Sequence, residues 1–303
     1  MASLPKTMRA IVCTATGVID VMKIQDLPLP SPQEGQALIK ILGFGINRAE
    51  MFTRQGHSPG VEFPRIIGIE CIGIAEYTCV SEQNIRPIPP TNLPISTLAA
   101  LPEMLQTTWG ALVAGLDLRP SESLLVRGST SSIGLCALQL ARKIGASRIG
   151  ATSRNPQREQ MLRDSGADEV FIDDGEIAQD VQRSAKGGFD KVLELNGTTT
   201  LLDSLKCVVS RGTVCMTGIQ GGEWEMDKFA PMADLPNRAR VCGYGGGPDD
   251  FMAMPWEALV RDVEEGRVKV PVLEFKMEEI HQVHKILESG GGGAKMVVVV
   301  GEE

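Results

Sequence analysis

The sequence lacks the features that would tie it to a membrane or to nucleic acid. No run of apolar residues is long enough to span a bilayer, and Lys and Arg form no cluster. The 303 residues include 30 Lys and Arg but 38 Asp and Glu, and the resulting net charge of -8 repels phosphate backbones and anionic lipid headgroups. We therefore expect a cytoplasmic protein that binds neither nucleic acid nor membranes.

Cysteine pairs of the kind that bind zinc are absent as well. No two cysteines form a C-x-x-C motif, so the sequence predicts neither a disulfide framework nor a zinc knuckle. His281 and His284 are three residues apart on a polar helix, and we expect them on the surface and not as metal ligands. Cysteine in apolar segments behaves as a small hydrophobic residue, and we expect this role for most of the seven: Cys13, Cys71, Cys79, Cys136, Cys207, Cys215 and Cys242.

Glycine and apolar residues are plentiful, at 33 residues and 43% respectively, a balance that is typical of an α/β enzyme. The first part of the chain has short apolar runs with tight loops, which predict strands. From Pro120 onward, strands and helices alternate regularly. Such alternation predicts a doubly wound parallel sheet of the Rossmann type, because parallel neighbours need crossover connections that cover both faces. The predicted strands are residues 123–127, 148–152, 169–172, 191–195, 213–217 and 240–244.

The turn after the first of these strands has the composition of a phosphate-binding site. The strand ends at Arg127, a Ser- and Gly-rich turn follows, and a helix begins at Ser132 or Ile133. Such a turn presents backbone N–H groups and the positive end of a helix dipole to a pyrophosphate. The usual G-x-G-x-x-G motif is absent, and the alternative is an ordinary strand–helix turn. The candidate phosphate-binding residues are Ser129, Thr130, Ser131, Ser132 and Ile133.

The end of the second strand distinguishes between the two nicotinamide dinucleotides. NAD-binding sheets carry an Asp or Glu there, which binds the ribose 2′-hydroxyl. This chain has Ser153 and Arg154 instead, with Arg158 nearby. Because a guanidinium binds a phosphate with two parallel hydrogen bonds, these residues favour a 2′-phosphate and predict NADPH as the cofactor. The alternative is that Arg154 is a solvated surface residue.

Motifs along nearly the whole chain resemble those of one superfamily. They are Gly-Ile-Asn at 45–47 with Glu50, Phe-Pro-Arg-Ile-Ile-Gly-Ile-Glu at 63–70, Ala-Glu-Tyr at 75–77, Ala-Leu-Pro at 100–102, Thr-Thr-Trp-Gly at 107–110, Gly-Ala-Asp at 166–168 and Phe-Asp-Lys-Val at 189–192. The chain is similar to the medium-chain dehydrogenase/reductase superfamily, in its zinc-independent quinone oxidoreductase and enoyl reductase branch. The resemblance implies a truncated GroES-like β-barrel domain of residues 1–104 and 256–303. It also implies a Rossmann NADP-binding domain of residues 105–255.

The resemblance assigns roles to residues outside the turn. Zinc enzymes of the superfamily have metal ligands at the positions of Asn47 and Ile69, and neither side chain suits a tetrahedral zinc site, so no metal is expected. Asn47 is instead the candidate catalytic residue, a donor that stabilises an enolate; the alternative is that it bonds its own loop backbone. Phe52 replaces a tyrosine of some relatives, so water is the expected proton donor. Further implied cofactor contacts are Thr107, Gly197, Gly218, Gly245 and Lys295.

One departure from the superfamily pattern concerns the barrel. Relatives carry an additional stretch before the Ala-Glu-Tyr triplet, whereas here Ile74 is followed directly by Ala75. Without that stretch the barrel loses strands, exposes backbone edges and has a more open substrate cleft.

The resemblance implies hydride transfer from NADPH to a small-molecule quinone or α,β-unsaturated carbonyl. It also implies a homodimer in which residues 240–244 pair at the edge of the sheet. Two alternatives stay open. One is an NADPH-binding sensor or partner protein whose truncated barrel has lost turnover, and the other is a zinc-type alcohol dehydrogenase.

Overall fold

The computed structural model describes residues 4–70, 76–184, 186–290 and 293–300. The chain divides into two compact units, of which the first comprises Met1–Glu103 and Val270–Glu303 and the second Met104–Lys269. The sequence division assigned the helix Trp256–Glu264 to the barrel domain, whereas the structure places it in the second unit. Asp262 on this helix forms an ion pair with Lys143 of the helix Ser132–Ile144, which also belongs to the second unit. The predicted deletion between Ile74 and Ala75 lies outside the described residues.

The strands of the described residues are numbered in chain order. They are β1 (Thr7–Cys13), β2 (Met22–Pro28), β3 (Gln36–Lys40), β4 (Gly43–Gly45), β5 (Arg65–Ile66), β6 (Tyr77–Ser81), β7 (Ser123–Arg127), β8 (Arg148–Ser153), β9 (Glu169–Ile172), β10 (Phe189–Glu194), β11 (Val208–Met216), β12 (Arg240–Gly243), β13 (Val272–Lys276) and β14 (Lys295–Val299).

The α-helices are numbered in the same way. They are α1 (Arg48–Gln55), α2 (Ile95–Ala99), α3 (Leu101–Gly110), α4 (Ser132–Ile144), α5 (Glu159–Asp164), α6 (Ala178–Arg183), α7 (Thr198–Lys206), α8 (Pro231–Asp234), α9 (Pro248–Ala253), α10 (Trp256–Glu264) and α11 (Ile280–Glu288). A π-helical turn, Ala111–Gly115, follows α3. Within the described ranges, no helix has both the length and the apolar character needed to cross a bilayer.

The first unit contains three small sheets, with strand orders β2-β1-β5, β3-β6 and β13-β14-β4. Strands β1 and β2 pair antiparallel from Thr7 opposite Pro28 to Cys13 opposite Met22. Alternate residues of β1, beginning with Met8 and Ala10, point into a small apolar core, as the two-residue period of a strand requires. The described strands of this unit therefore form separate sheets and not one continuous barrel sheet.

The second unit contains the predicted parallel sheet, with the strand order β9-β8-β7-β10-β11-β12. The first strand of the series, β7, lies in the middle, and the chain winds outward from it first to β8 and β9 and then to β10, β11 and β12. Helix α4 packs on β7 and β8, and α7 packs on β10 and β11. The α/β fold class is thus confirmed. Ligands of such sheets bind at the carboxyl ends of the strands where the winding reverses, which is here between β7 and β10.

Helix α4 is held in place by caps and by an apolar face. The Ser131 hydroxyl caps its first turn, and Gly145 ends it with a φ of 102°, a left-handed conformation that glycine adopts without strain. Leu135, Leu138 and Ala141 are buried on the face toward the sheet. The helix N-terminus is consequently fixed at the carboxyl end of β7.

Candidate nucleotide site and buried polar cluster

The turn between β7 and α4 is tight because two glycines allow close backbone approach. Gly128 has a φ of 85°, and a Cβ on Gly134 would lie 2.6 Å from the Ser129 Cα. Ser129 is fully buried; its hydroxyl donates to the Val126 carbonyl at 2.5 Å and accepts from the Thr152 amide at 2.9 Å. The Ser129 side chain therefore holds the turn together and is not available to a ligand.

The rest of the turn presents unpaired donors. The Ser131 hydroxyl accepts from the Gly134 amide at 3.1 Å and donates to the Gly128 carbonyl at 3.0 Å. Within the described part of the chain, the backbone amides of Thr130, Ser132 and Ile133 have no hydrogen-bond acceptor. Three free N–H groups and the positive end of a thirteen-residue helix form a site that suits an anion.

The end of β8 carries two arginines with no acidic partner. Ser153 is buried. Its hydroxyl accepts a hydrogen bond from the Asn155 amide at 3.0 Å and donates one to the Asn155 carbonyl at 2.9 Å. Arg154 is exposed and Arg158 half-buried, and neither guanidinium forms an ion pair with any described residue. The neighbouring Glu159 pairs with Arg163 at 2.8 Å instead. Both guanidinium groups are thus free to bind an added anion.

The predicted glycine contacts fall into two groups. Gly197 and Gly218 are glycines because the loops after β10 and β11 touch: a Cβ on Gly197 would lie 2.9 Å from the Gly218 carbonyl oxygen, and one on Gly218 would lie 2.5 Å from that of Leu195. The Gly197 amide donates to Glu194 at 3.0 Å and is therefore occupied. Gly245 is exposed, and a Cβ added to it would meet no atom within 4 Å, while Thr107 lies half-buried on α3.

A buried arginine that the sequence interpretation missed stabilises the same edge of the sheet. Arg127, at the end of β7, is fully buried and binds Asp173 with two hydrogen bonds of 2.9 and 2.8 Å and Asp203 with one of 2.7 Å. Burial opposes ionisation of Asp173, but the hydrogen bonds from Arg127 keep its pKa below the usual value. The sequence did contain a signal for this buried arginine, namely a charged residue at the end of the apolar run 123–127.

The first unit contains a buried polar cluster, here called the Lys295 cluster. Its members are Asn47, Glu50, Glu70, Glu103 and Lys295. Lys295 is 3% exposed, and its ammonium group donates to Glu70 at 2.7 Å, to Glu103 at 3.0 Å and to the Asn47 side-chain oxygen. The Asn47 Nδ2 donates to Glu70 at 2.9 Å and to Glu50 at 3.3 Å. Each ammonium hydrogen and each amide hydrogen therefore has an acceptor inside the cluster.

This arrangement bears on two predicted site residues, whose roles stay predictions. Lys295, expected to contact the cofactor, lies in the cluster because β14 turns its side chain toward Glu70 and Glu103. Asn47, expected to donate to an enolate, has both amide hydrogens engaged, so direct donation requires that it leave one carboxylate. It also begins α1 with a capping box, in which its backbone amide donates to Glu50 at 2.6 Å.

Burial shifts the pKa values of the cluster. Desolvation, reinforced by the charge of Glu70, raises the pKa of Glu50 to about 8, so that Glu50 is protonated at neutral pH. Burial also raises the pKa of Glu70, although the Lys295 charge opposes the shift. Burial disfavours the charged form of Lys295, but Glu70 and Glu103 raise its pKa overall. One cation thus faces two buried carboxyl groups, of which that of Glu50 is neutral, and the half-buried carboxyl group of Glu103.

The histidines of α11 differ from each other. The His281 Nε2 lies 2.9 Å from the Met22 carbonyl oxygen. His284 is fully buried because α11 packs on α1. The surface position expected for His284 was therefore wrong. Arg54 donates to the His284 Nδ1 at 3.4 Å. Burial, helped by the Arg54 charge, lowers the pKa of His284 to about 4. Among the described residues, no three His, Cys, Asp or Glu side chains are grouped to hold a metal ion.

Comparisons with known proteins find similar sequences and structures. Residues 132–261 match the family described as zinc-binding dehydrogenase. The quinone oxidoreductase of Rattus norvegicus is 28% identical over 334 aligned positions, which cover 99% of this chain and 100% of the relative. The chloroplastic NADPH-dependent alkenal/one oxidoreductase of Arabidopsis thaliana is 26% identical, over 64% of this chain and 61% of the relative.

Solved structures share the fold. The quinone oxidoreductase of Pseudomonas syringae has a TM-score of 0.85 at 18% identity, over 96% of this chain and 99% of that one. A mycobacterial protein solved with NADPH has a TM-score of 0.84 at 22% identity, over the same shares of the two chains. The fold and the relatives together define an oxidoreductase of two units with a Rossmann sheet. The chain is similar to the medium-chain dehydrogenase/reductase superfamily, and within it to proteins named as quinone oxidoreductases.

The comparison with the rat enzyme also bears on the length of the chain. The alignment spans 334 positions and this chain has 303 residues, so at least 31 aligned positions have no residue here.

Proposed function

We propose that the chain catalyses the NADPH-dependent reduction of a quinone or an α,β-unsaturated carbonyl without a zinc ion. The observation that carries this proposal is the combination of free amides at the N-terminus of α4 with two unpaired guanidinium groups at the end of β8. The first feature suits the pyrophosphate of a dinucleotide, and the second suits an additional phosphate on its adenosine ribose.

The residues at the end of β8 favour one of the two nicotinamide cofactors over the other. An NAD site places a carboxylate there, which would repel a 2′-phosphate. In this chain Glu159 is paired with Arg163, and Asp173 is held by Arg127, so that neither opposes an anion beside Arg154. NADPH is therefore favoured over NADH. A mycobacterial protein of the same fold was solved in complex with NADPH, which supports the assignment.

The substrate class follows from the relatives and from the cofactor. The matched proteins are named as quinone and alkenal/one oxidoreductases. The nicotinamide supplies a hydride, and a proton is needed to complete the reduction. Phe52 is buried on α1 and has no acidic hydrogen, so we assign the proton to water. The Lys295 cluster orients Asn47 and keeps its amide engaged.

The residues at the zinc positions of the superfamily do not fit a zinc ion. Asn47 has its side-chain oxygen bound to the Lys295 ammonium, and Ile69 has a hydrocarbon side chain that is 51% exposed. A tetrahedral zinc site requires thiolate, imidazole or carboxylate ligands. The donor chemistry therefore favours hydride transfer to an activated double bond or a quinone over zinc-assisted alcohol oxidation.

The test combines binding with turnover. Purified protein is titrated with NADPH and with NADH while nucleotide fluorescence is followed, and NADPH oxidation is then measured with a panel of quinones and enones. We expect tighter binding of NADPH and turnover of at least one class. Absence of NADPH binding refutes the proposal, whereas binding without turnover across the panel supports the sensor alternative. Zinc at one ion per chain, found by elemental analysis, would revive the alcohol dehydrogenase alternative.

We also propose that the chain forms a homodimer through β12. This strand lies at the edge of the sheet, and its outer backbone groups have no partner strand among the described residues. Val241 on it is 42% exposed, so its apolar side chain is accessible to a partner strand. Sedimentation analysis of the wild type and of Val241→Pro checks this proposal. Pro removes one backbone donor of the edge, so a dimer that persists unchanged in the variant contradicts pairing through β12.

A further inference from the structure

Two cysteines lie directly opposite each other in the sheet of the second unit. The parallel register of β11 and β12 pairs Cys215 with Cys242. Neighbouring strands are about 4.8 Å apart, and paired residues of a parallel ladder project from the same face. A disulfide bridges Cα atoms about 4.4–6.8 Å apart, so the spacing of the two strands is suitable for one. No other pair of cysteines is in register in the strand pairs of the described residues.

The two sulfur atoms converge on the same backbone segment. The Cys242 Sγ donates to the Gly115 carbonyl at 3.2 Å, and a Cβ placed on Gly115 would lie 2.7 Å from the Cys215 Sγ. Both thiols therefore face the π-helical turn that ends at Gly115. Burial raises the pKa of Cys215 to about 12; the Thr217 hydroxyl opposes this shift, and the nearby Cys242 thiol adds to it.

The two thiols differ in access. Cys215 is fully buried in β11, whereas Cys242 is half-buried in the edge strand. In the monomer β12 has, among the described residues, a partner strand on one side only, so it can shift toward β11 at less cost than an inner strand; the proposed pairing of β12 in a homodimer would oppose this shift. The half-exposed thiol is thus the one that meets an oxidant, and the buried thiol is the one that resolves the product.

We propose that Cys215 and Cys242 are an oxidative modification site, which a low-molecular-weight disulfide converts to an intramolecular disulfide. The Cys242 thiolate attacks one sulfur of the oxidant, and one oxidant thiol leaves. Cys215 then attacks the Cys242 sulfur and expels the second oxidant thiol. The two cysteines lose two electrons and two protons, and the oxidant becomes two thiols.

The modification bears on the cofactor site, a consequence that rests on the proposed function. Gly218 follows Cys215 by three residues, and Gly245 follows Cys242 by the same number. Both glycines lie where β11 and β12 end, at the edge of the sheet that carries the nucleotide turn. Because a disulfide draws the Cβ atoms to about 3.8 Å, it pulls the end of β12 inward and displaces Gly245. We expect roughly tenfold weaker NADPH binding in the oxidised protein, about 1.4 kcal/mol.

The experiment treats the full chain with oxidised glutathione at mildly alkaline pH and maps the products by peptide mass spectrometry. The expected product is a Cys215–Cys242 linked peptide in the wild type and in Cys79→Ser, a control that removes a half-buried cysteine opposite Leu38. Cys242→Ser and Cys215→Ser should both lack it. A stable glutathione adduct on Cys242 alone, or a link to another cysteine, overturns the site. Cys242→Ser lies in the edge strand and keeps the test valid if the buried variant does not fold.

The effect on the cofactor is measured separately. NADPH and 2′,5′-ADP are titrated into reduced and oxidised protein, since 2′,5′-ADP has the 2′-phosphate but no nicotinamide. We expect oxidation to weaken the binding of NADPH and to leave the binding of 2′,5′-ADP unchanged. In Cys242→Ser, oxidant treatment should change neither affinity. Equal NADPH affinity before and after oxidation overturns the coupling. Failure of reduced protein to bind NADPH refutes the proposed function and leaves the disulfide result unaffected.

Discussion

Replacing Arg154 with Ala removes one of the two free guanidinium groups at the end of β8. A hydrogen bond to a charged group contributes about 1.5–3 kcal/mol, and 1.4 kcal/mol corresponds to about tenfold in affinity. Arg154 is exposed, so solvent and salt screen its charge, which sets the expected value at the lower end. We therefore expect roughly tenfold weaker NADPH binding. NADH has no 2′-phosphate, and its affinity should change little.

The assay is a fluorescence titration with NADPH and NADH at low and at high ionic strength. The NADPH affinity of the wild type should fall with salt, and this dependence should be shallower in Arg154→Ala because one cation of the site is missing. Arg163→Ala is the matched control. Arg163 lies on α5 near the same strand end, but its guanidinium pairs with Glu159 at 2.8 Å and is not free.

Three results would refute the assignment. Equal losses for NADPH and NADH would show that Arg154 does not read the 2′-phosphate. An equal loss in Arg163→Ala would show that overall charge, and not position, is responsible. If neither Arg154→Ala nor Arg158→Ala changes NADPH affinity, the phosphate lies elsewhere.

Three further predictions concern stability. Lys295→Met leaves buried carboxylates without their cation and should lower the free energy of unfolding by about 3–5 kcal/mol in urea titrations, while the exposed Lys285→Met should change it little. The pKa of Glu50 is raised to about 8 in the folded protein. The contribution of Glu50 to stability is therefore complete below the pKa that it has in the unfolded chain, and it is lost as the pH rises toward 8. Glu50→Gln should flatten the pH dependence of the free energy of unfolding in this range. The pKa of His284 is lowered to about 4, so stability is lost as pH falls from about 6.5 toward 4, and His284→Gln should lose less there than the wild type. If the pH dependence of the free energy of unfolding in Glu50→Gln or in His284→Gln matches that of the wild type, the pKa shift assigned to that residue is contradicted.

Local pattern was sufficient for the second unit. The strand predicted at 123–127 and that at 169–172 coincide with β7 and β9, because apolar runs of this length between turn residues have few alternatives. The turn after Arg127 and the missing acid at Arg154 were also visible, since each is defined by neighbours in the chain. These features follow from residue order, and the structure adds that Thr130, Ser132 and Ile133 keep their amides free.

Tertiary structure decided what long-range packing controls. Lys295 and Asn47 are 248 residues apart, and only the pairing of β14 with β4 brings them into one buried cluster. His284 is buried because α11 meets α1, although the helix itself looks polar. Cys215 and Cys242 meet through strand register, which has no signature in either segment alone. The sequence by itself determined the Rossmann sheet and the serine-rich turn after Arg127, because these depend on local periodicity and on neighbouring residues. Which polar side chains are buried, paired or free depended on contacts between distant segments, and those exist only in the folded chain.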